Sequence, residues 1–312
     1  MPTLTDIQQA AERIQPYAHR TPVLTNASLN QRVGAQVYLK CENFQKVGAF
    51  KFRGACNTVY SLSDEEAARG VCTHSSGNHA QALALAARMR GIPAYIVMPN
   101  NAPSVKKNAV AAYGGQITFC EPTLEAREST LERIRLETGA NVVHPYNDER
   151  VIAGQGTAAL ELLSDVPDLD VIIAPVGGGG LLSGTAIAAK GIKPGIRVIA
   201  GEPEMADDAY RSLQAGQLLP SVNPKTIADG LLTSLGSITF PIVRERVEQI
   251  VTVSEAGIVA AMKFVWERVK IVIEPSSAVA VGVLWEKKID LSGLKVGIIL
   301  SGGNVDLDKL PW

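Results

Sequence analysis

Apolar and polar positions fall into blocks that recur along this chain. Residues 94–98 (AYIVM), 116–120 (QITFC) and 140–144 (ANVVH) are short apolar runs with the length and composition of buried strands. Between and before them, residues 80–90 (AQALALAARMR), 104–113 and 123–138 read as helices. The first stops at Gly91-Ile92-Pro93 and the second at Gly114-Gly115. The same rhythm resumes at 170–176 (DVIIAPV), 197–201 (RVIAG) and 295–300 (KVGIIL). Ser63-Asp64-Glu65-Glu66 has the spacing of a capping box, with Gly70 placed to end its helix. Thr5-Asp6-Ile7-Gln8 reads as a second box that opens a helix near the N-terminus. Short apolar strands alternating with helices predict an α/β fold with parallel sheet covered on both faces. No repeat, low-complexity segment or composition shift marks a linker.

Composition narrows the class. The 312 residues, 46% hydrophobic and 20% charged, suit a globular protein with room for two domains. A net charge of −1 provides no bulk field for nucleic acid or an anionic membrane. No apolar run reaches the roughly 18 residues of a membrane span. The four cysteines, Cys41, Cys56, Cys72 and Cys120, lack metal-ligand spacing. With no secretory signal at the N-terminus they read as reduced thiols of a cytoplasmic protein.

In open parallel sheets ligands bind at the carboxyl ends of strands, where a helix follows. The chemically suggestive motifs sit at such turns. Gly177, Gly178, Gly179 and Gly180 directly follow the run 170–176. Without side chains, their N–H groups can converge on an anion at the next helix's N-terminus, and phosphate is the natural guest. The spacing is not that of a dinucleotide fingerprint. Ser75-Ser76-Gly77-Asn78-His79 opens the helix that follows, where hydroxyls and free N–H groups can hold a carboxylate. Taken alone it reads equally well as an ordinary helix cap. In Gly48-Ala49-Phe50-Lys51-Phe52-Arg53-Gly54 a lysine stands between aromatics; desolvation there lowers its pKa and frees the amine as a nucleophile. Ser301-Gly302-Gly303-Asn304 follows the strand 295–300, placing a small hydroxyl at a strand end. A phosphate loop, a carboxylate loop and a buried lysine together describe an amino acid bound to pyridoxal phosphate (PLP).

In their order, F-K-x-R-G, S-S-G-N-H-A-Q, G-G-G-G-L-L-S-G and S-G-G-N-V-D resemble the PLP enzymes of the tryptophan-synthase-β fold type. Within them the chain is similar to the branch of serine racemases, threonine dehydratases and 3-hydroxyaspartate dehydratases, from Arg20-Thr21-Pro22 to Asp306. The resemblance implies that Lys51 forms the internal Schiff base with Phe50 beside the ring. It implies that Asn78 meets the ring's 3-oxygen, that Gly177 to Gly180 with Leu181 bind the phosphate, and that Ser301 faces the pyridine nitrogen. A serine does not force that nitrogen to protonate, so the ring is a weaker electron sink, which favours loss of a β-leaving group over transamination. Lys51 would remove the Cα proton, and the β-hydroxyl would leave as water with help from the cofactor phosphate. Ser75, Ser76, Asn78 and His79 would line the α-carboxylate site. Ser76 permits racemisation by acting on the face opposite Lys51. Arg127 matches an arginine facing the active site in serine racemase and would suit a second carboxylate, while Tyr146 would narrow the pocket.

The resemblance also implies a divalent-cation loop, with Glu202, Asp208 and the carbonyl of Ala206 as oxygen ligands for Mg²⁺, Mn²⁺ or Ca²⁺. Gln81, Tyr113, Lys270, Asn304 and Lys46 match positions that hold ATP in animal serine racemase, but Asn26-Ala27-Ser28 and Val47 depart from that pattern and argue against ATP activation. The fold implied is two-domain: residues 1–46 plus 146–312 form the large PLP-binding domain, 47–145 the small inserted one, and the cofactor lies in the cleft. A homodimer is the implied assembly and a small amino acid the implied substrate. A nucleotide-linked Rossmann protein would give Lys51 no role, a non-catalytic amino-acid sensor would need neither the lysine nor the phosphate loop, and sulfhydrylases of this fold type favour S-G-N-T.

Overall fold

A computed structural model describes residues 1–312. Ten strands run in chain order: β1 (Val23–Leu24), β2 (Gln36–Cys41), β3 (Val71–His74), β4 (Ala94–Pro99), β5 (Gln116–Cys120), β6 (Asn141–Val142), β7 (Val171–Pro175), β8 (Arg197–Pro203), β9 (Gln249–Val253) and β10 (Lys295–Leu300). They form a six-stranded sheet ordered β1-β2-β10-β7-β8-β9 and a four-stranded sheet ordered β5-β4-β3-β6. Every pair is parallel except β1 with β2. The last strand, β10, inserts between the early β2 and the middle β7, with Val296 opposite Val37 and Val171. Both chain ends therefore build the larger sheet, while β3 to β6 come from one central stretch.

The strands carry apolar side chains on both faces because helices cover both, as parallel sheet requires. One core under the large sheet gathers Ile172, Ala174, Val198 and Leu182, and a second on its other face gathers Ile173, Ile199, Ile298 and Val281. The small sheet buries Ile96 and Met98 against Leu83, and Val97 and Cys72 against Leu131 and Ile134. Cys41, Cys56, Cys72 and Cys120 are unpaired and buried.

Two local expectations are corrected. Thr3, rather than Thr5, caps the first helix, Leu4–Ile14. The Thr3 hydroxyl accepts from the Asp6 N–H at 3.3 Å and the Asp6 carboxylate accepts from the Thr3 N–H at 2.7 Å. This start gives the box its acid at the third helical position, which Gln8 would have had to supply for Thr5. The run 140–144 is a strand only over Asn141–Val142. Beyond Val143 the chain turns back on itself, with His144 Nδ1 accepting from the N–H groups of Asn147 at 2.9 Å and Tyr146 at 3.3 Å. The Ser63–Glu66 box forms as read, and Gly70 takes a φ of 80° just after its helix.

Candidate active site

The carboxyl ends of β3, β7 and β10 open on one cavity of about 930 Å³ between the two sheets. Each end delivers one of the motifs. Ser75 to Asn78 follow β3 and lead into the helix Asn78–Arg90. Gly177 to Gly180 follow β7 and lead into the helix Gly180–Ile192. Ser301 ends β10.

Lys51 is the first residue of the helix Lys51–Ser61. Backbone bonds fix its approach: the Phe50 N–H donates to the Ser301 carbonyl at 2.9 Å, and the Gly303 N–H to the Gly48 carbonyl at 2.9 Å. The turn before it is tight, with φ of 56° at Val47 and 69° at Gly48; a β-branched residue in that region is rare. The Lys51 amine donates to the Pro145 carbonyl at 2.7 Å and stands 5.2 Å from the centre of the Phe50 ring. Burial lowers its pKa from 10.5 to about 8, partly offset by the nearby Glu274 carboxylate. At neutral pH such an amine loses its proton far more readily than a surface lysine, as a Schiff-base lysine must.

The glycine loop leaves no room for side chains. A Cβ on Gly178 would lie 2.2 Å from the Tyr146 ring, and one on Gly177 would lie 2.9 Å from Leu231 Cα. Gly179 lines the cavity, adopts a φ of 86° and caps the following helix, whose first N–H groups have no intrahelical acceptor. Gly180 and Leu181 also line the cavity. The Ser301 hydroxyl is buried and has no partner in the protein. A backbone anion cradle, a buried hydroxyl awaiting an acceptor and a desolvated lysine around one cavity fit PLP.

Ser75, Ser76, Asn78 and Arg127 line the same cavity. The Ser75 hydroxyl accepts from the Gly77 N–H at 3.3 Å, which shapes the loop. His79 also borders the cavity, but its ring is buried with Nε2 3.1 Å from the Val143 carbonyl, and burial pushes its pKa down to about 3. The ring is thus neutral, and the main-chain N–H is the part of His79 suited to a carboxylate. Arg127 differs from Arg133 and Arg135 on the same helix, which pair with Glu137 and Glu132. Arg127 makes no salt bridge, its Nε is buried without a partner, and it faces the cavity. His74, His144 and Tyr146 also line the cavity, edge to face, with ring centres 6.4 and 4.5 Å apart.

Glu274 is a site residue that the sequence reading missed. It precedes Pro275 at the start of the helix Pro275–Trp285 and is only 5% exposed. The Asn78 side-chain amide donates to both its oxygens, and the Asn304 N–H donates to one at 3.1 Å. Its only sequence signal was an acid in an otherwise apolar run, I-V-I-E-P. Of the five positions compared with the ATP site, only Gln81 and Asn304 border the cavity; Tyr113 lies under Arg88 and Lys46 over Phe52.

Away from the cleft, Glu202, at the end of β8, and Asp208 are each 1% exposed, and Ala206 is 4% exposed. Glu202 accepts from the N–H groups of Ala209 and Tyr210 at 2.8 Å, while neither Asp208 oxygen has a partner. Burial raises Glu202 to about 8 and Asp208 to about 6. No group of three acidic, His or Cys side chains assembles there, so a cation would need carbonyl and water ligands as well.

The parallel two-sheet fold and the lysine, glycine-loop and serine cleft define a class. The chain belongs to the pyridoxal-phosphate-dependent enzymes, whose family model matches residues 14–302. It is 53% identical over 312 residues to the beta-hydroxyaspartate dehydratase of Paracoccus denitrificans, covering 100% of this chain and 99% of that one. It is 49% identical over 310 residues to the L-threo-3-hydroxyaspartate ammonia-lyase of Saccharomyces cerevisiae, covering 99% and 95%. The crystal structure of serine racemase from Dictyostelium discoideum is similar with a TM-score of 0.94 and 53% identity, covering 98% of this chain and 99% of that one.

Proposed function

We propose that this enzyme is a dehydratase, or ammonia-lyase, that converts a 3-hydroxy amino acid to a keto acid and ammonia, with 3-hydroxyaspartate as the preferred substrate. The carrying observation is Arg127: a cation without a carboxylate partner, lining the same cavity as Lys51 and Ser76. Two relatives bear names of hydroxyaspartate-cleaving enzymes, which supports the same choice.

When bound, PLP supplies the electron sink that acidifies the substrate's Cα–H bond. Lys51 holds the cofactor and, once its amine is free, takes the Cα proton. Gly177 to Gly180 bind the phosphate through main-chain N–H groups, and Ser301 offers its hydroxyl to the pyridine nitrogen. Ser75, Ser76 and the main-chain N–H groups of Asn78 and His79 orient the α-carboxylate, aided by the dipole of the helix Asn78–Arg90. Arg127 takes the second carboxylate. The β-carbon–oxygen bond breaks, the hydroxyl leaves as water with one added proton, and hydrolysis of the unsaturated product gives keto acid and ammonia.

A keto-acid assay over 3-hydroxyaspartate, serine and threonine tests the substrate. A charge-assisted hydrogen bond is worth about 1.5–3 kcal/mol, or roughly 10- to 150-fold in kcat/KM. The diacid should lead by that margin and Arg127→Ala should erase the lead; equal or better turnover of threonine by the wild type refutes the preference.

A second reading, serine racemase as the main activity, rests on the Ser76 hydroxyl bordering the same cavity as Lys51. We also propose that Glu202, Asp208 and the Ala206 carbonyl hold a divalent cation; the two unpartnered, buried Asp208 oxygens support it. The proposed domains are 1–46 plus 146–312 and 47–145, with the helix Lys51–Ser61 at the seam, and the proposed assembly is a homodimer.

A further inference from the structure

Two residues after Lys51 stands Arg53, to which the proposed chemistry gives no task. Its side chain is 0% exposed. Nε and Nη2 donate to the two oxygens of Glu42 at 2.7 and 2.8 Å, while Nη1 and Nη2 donate to those of Glu161 at 2.8 and 2.9 Å. Lys40, likewise 0% exposed, completes the cluster: its Nζ donates to Glu161 at 2.6 Å and to the Thr21 carbonyl at 2.7 Å. The Thr21 hydroxyl donates to Glu42 at 2.6 Å. Two cations thus meet two carboxylates, and the cluster has no net charge.

Such a cluster is a weak source of stability, because desolvation of the ions offsets most of their attraction. It is a strong source of direction. A guanidinium held by two carboxylates in two forks is fixed in position and in plane, which a lysine ammonium is not. Lys40 belongs to β2, Glu42 to the turn after it, and Glu161 to the helix Glu149–Asp165. The next residue, Gly54, completes the clamp. A Cβ on Gly154 would lie 2.6 Å from Gly54 Cα, so the two helices cross there in backbone contact.

We infer that Arg53 is a positioning residue for Lys51: it locks the first turn of the helix Lys51–Ser61 to β2 and to the helix Glu149–Asp165, and so fixes where the Lys51 amine enters the cleft. The inference rests on Lys51 being the lysine that holds the cofactor. Borohydride trapping on Lys51 in the wild type tests that reading separately.

Two variants test the inference itself. Arg53→Lys keeps the charge but loses both forks. Arg53→Met combined with Glu42→Gln removes one charge of each sign and keeps the Lys40–Glu161 pair. In cofactor-free protein, the pH dependence of trinitrobenzenesulfonate labelling is read on the Lys51 peptide; in holoenzyme, kcat and KM are measured; melting is followed in both. Small misplacements of a reacting group can cost about 100-fold in rate. The folded variants should lose at least about tenfold in kcat with KM changed by less than about threefold. Their Lys51 labelling midpoint should move up from about 8 toward the ordinary lysine range. A lowered melting temperature with the labelling midpoint and kcat of the wild type would overturn the inference. So would failure of both variants to fold, since the cluster would then be structural alone; if only one folds, it decides.

Discussion

The side-chain amide of Asn78 donates to both carboxylate oxygens of Glu274 at 3.1 Å, tying the start of the carboxylate-loop helix to the strand end that carries Ser301. The Glu274 N–H completes that tie by donating to the Gly302 carbonyl at 3.0 Å. Burial raises the Glu274 carboxyl from 4.5 to about 7, with the Asn78 bond acting in the opposite direction. A folded-state pKa above the unfolded value means that the folded protein binds this proton more tightly. The stabilisation is therefore complete below about pH 4.5 and is lost as pH rises through about 7. In cofactor-free protein at fixed cation concentration, melting temperature should fall from pH 5 to pH 8. Glu274→Gln should fall less, by the equivalent of roughly 3 kcal/mol at most. Equal falls in both proteins would contradict this placement of Glu274.

A cation on Glu202 and Asp208 should stabilise the larger sheet's end. A ligand present at 100 times its dissociation constant adds about 2.7 kcal/mol, and each kcal/mol is worth about 2–4 °C in a large domain. EDTA should lower the melting temperature by several degrees, and Mg²⁺, Mn²⁺ or Ca²⁺ should restore it. Asp208→Asn should abolish the response. A wild-type melting curve indifferent to EDTA counts against the site.

Ser76 separates elimination from racemisation. If its hydroxyl serves the face opposite Lys51, Ser76→Ala should reduce D-serine formation from L-serine far more than it reduces keto-acid formation. Chiral chromatography alongside the keto-acid assay reads both. Equal losses, or no D-serine from the wild type, would leave Ser76 as a carboxylate ligand only.

Much of this site was legible because its parts lie at strand ends, where periodicity and glycine runs are strong local signals. The runs before Gly177 and Ser301 became β7 and β10, whereas β3, four residues long, was not read from the sequence; all three ends meet one cavity. What was not legible depends on contacts distant in sequence. Glu274 finds Asn78 across 196 positions, and Arg53 finds Glu161 across 108. Neither partner can be read from spacing. Val143 and His144 read as strand by composition, but the bonds to His144 Nδ1 turn them into a loop. Thr3 and Thr5 offer equivalent hydroxyls, and only the reach of Asp6 back to Thr3 chooses between them.

Lys51 is the desolvated amine that lines the cleft. Purified holoenzyme treated with borohydride and digested should yield one peptide carrying reduced cofactor, attached at Lys51. Lys51→Ala should give no such peptide and lose essentially all keto-acid formation from 3-hydroxyaspartate. Cofactor trapped on a different lysine, or a Lys51→Ala enzyme with wild-type turnover, would contradict the account.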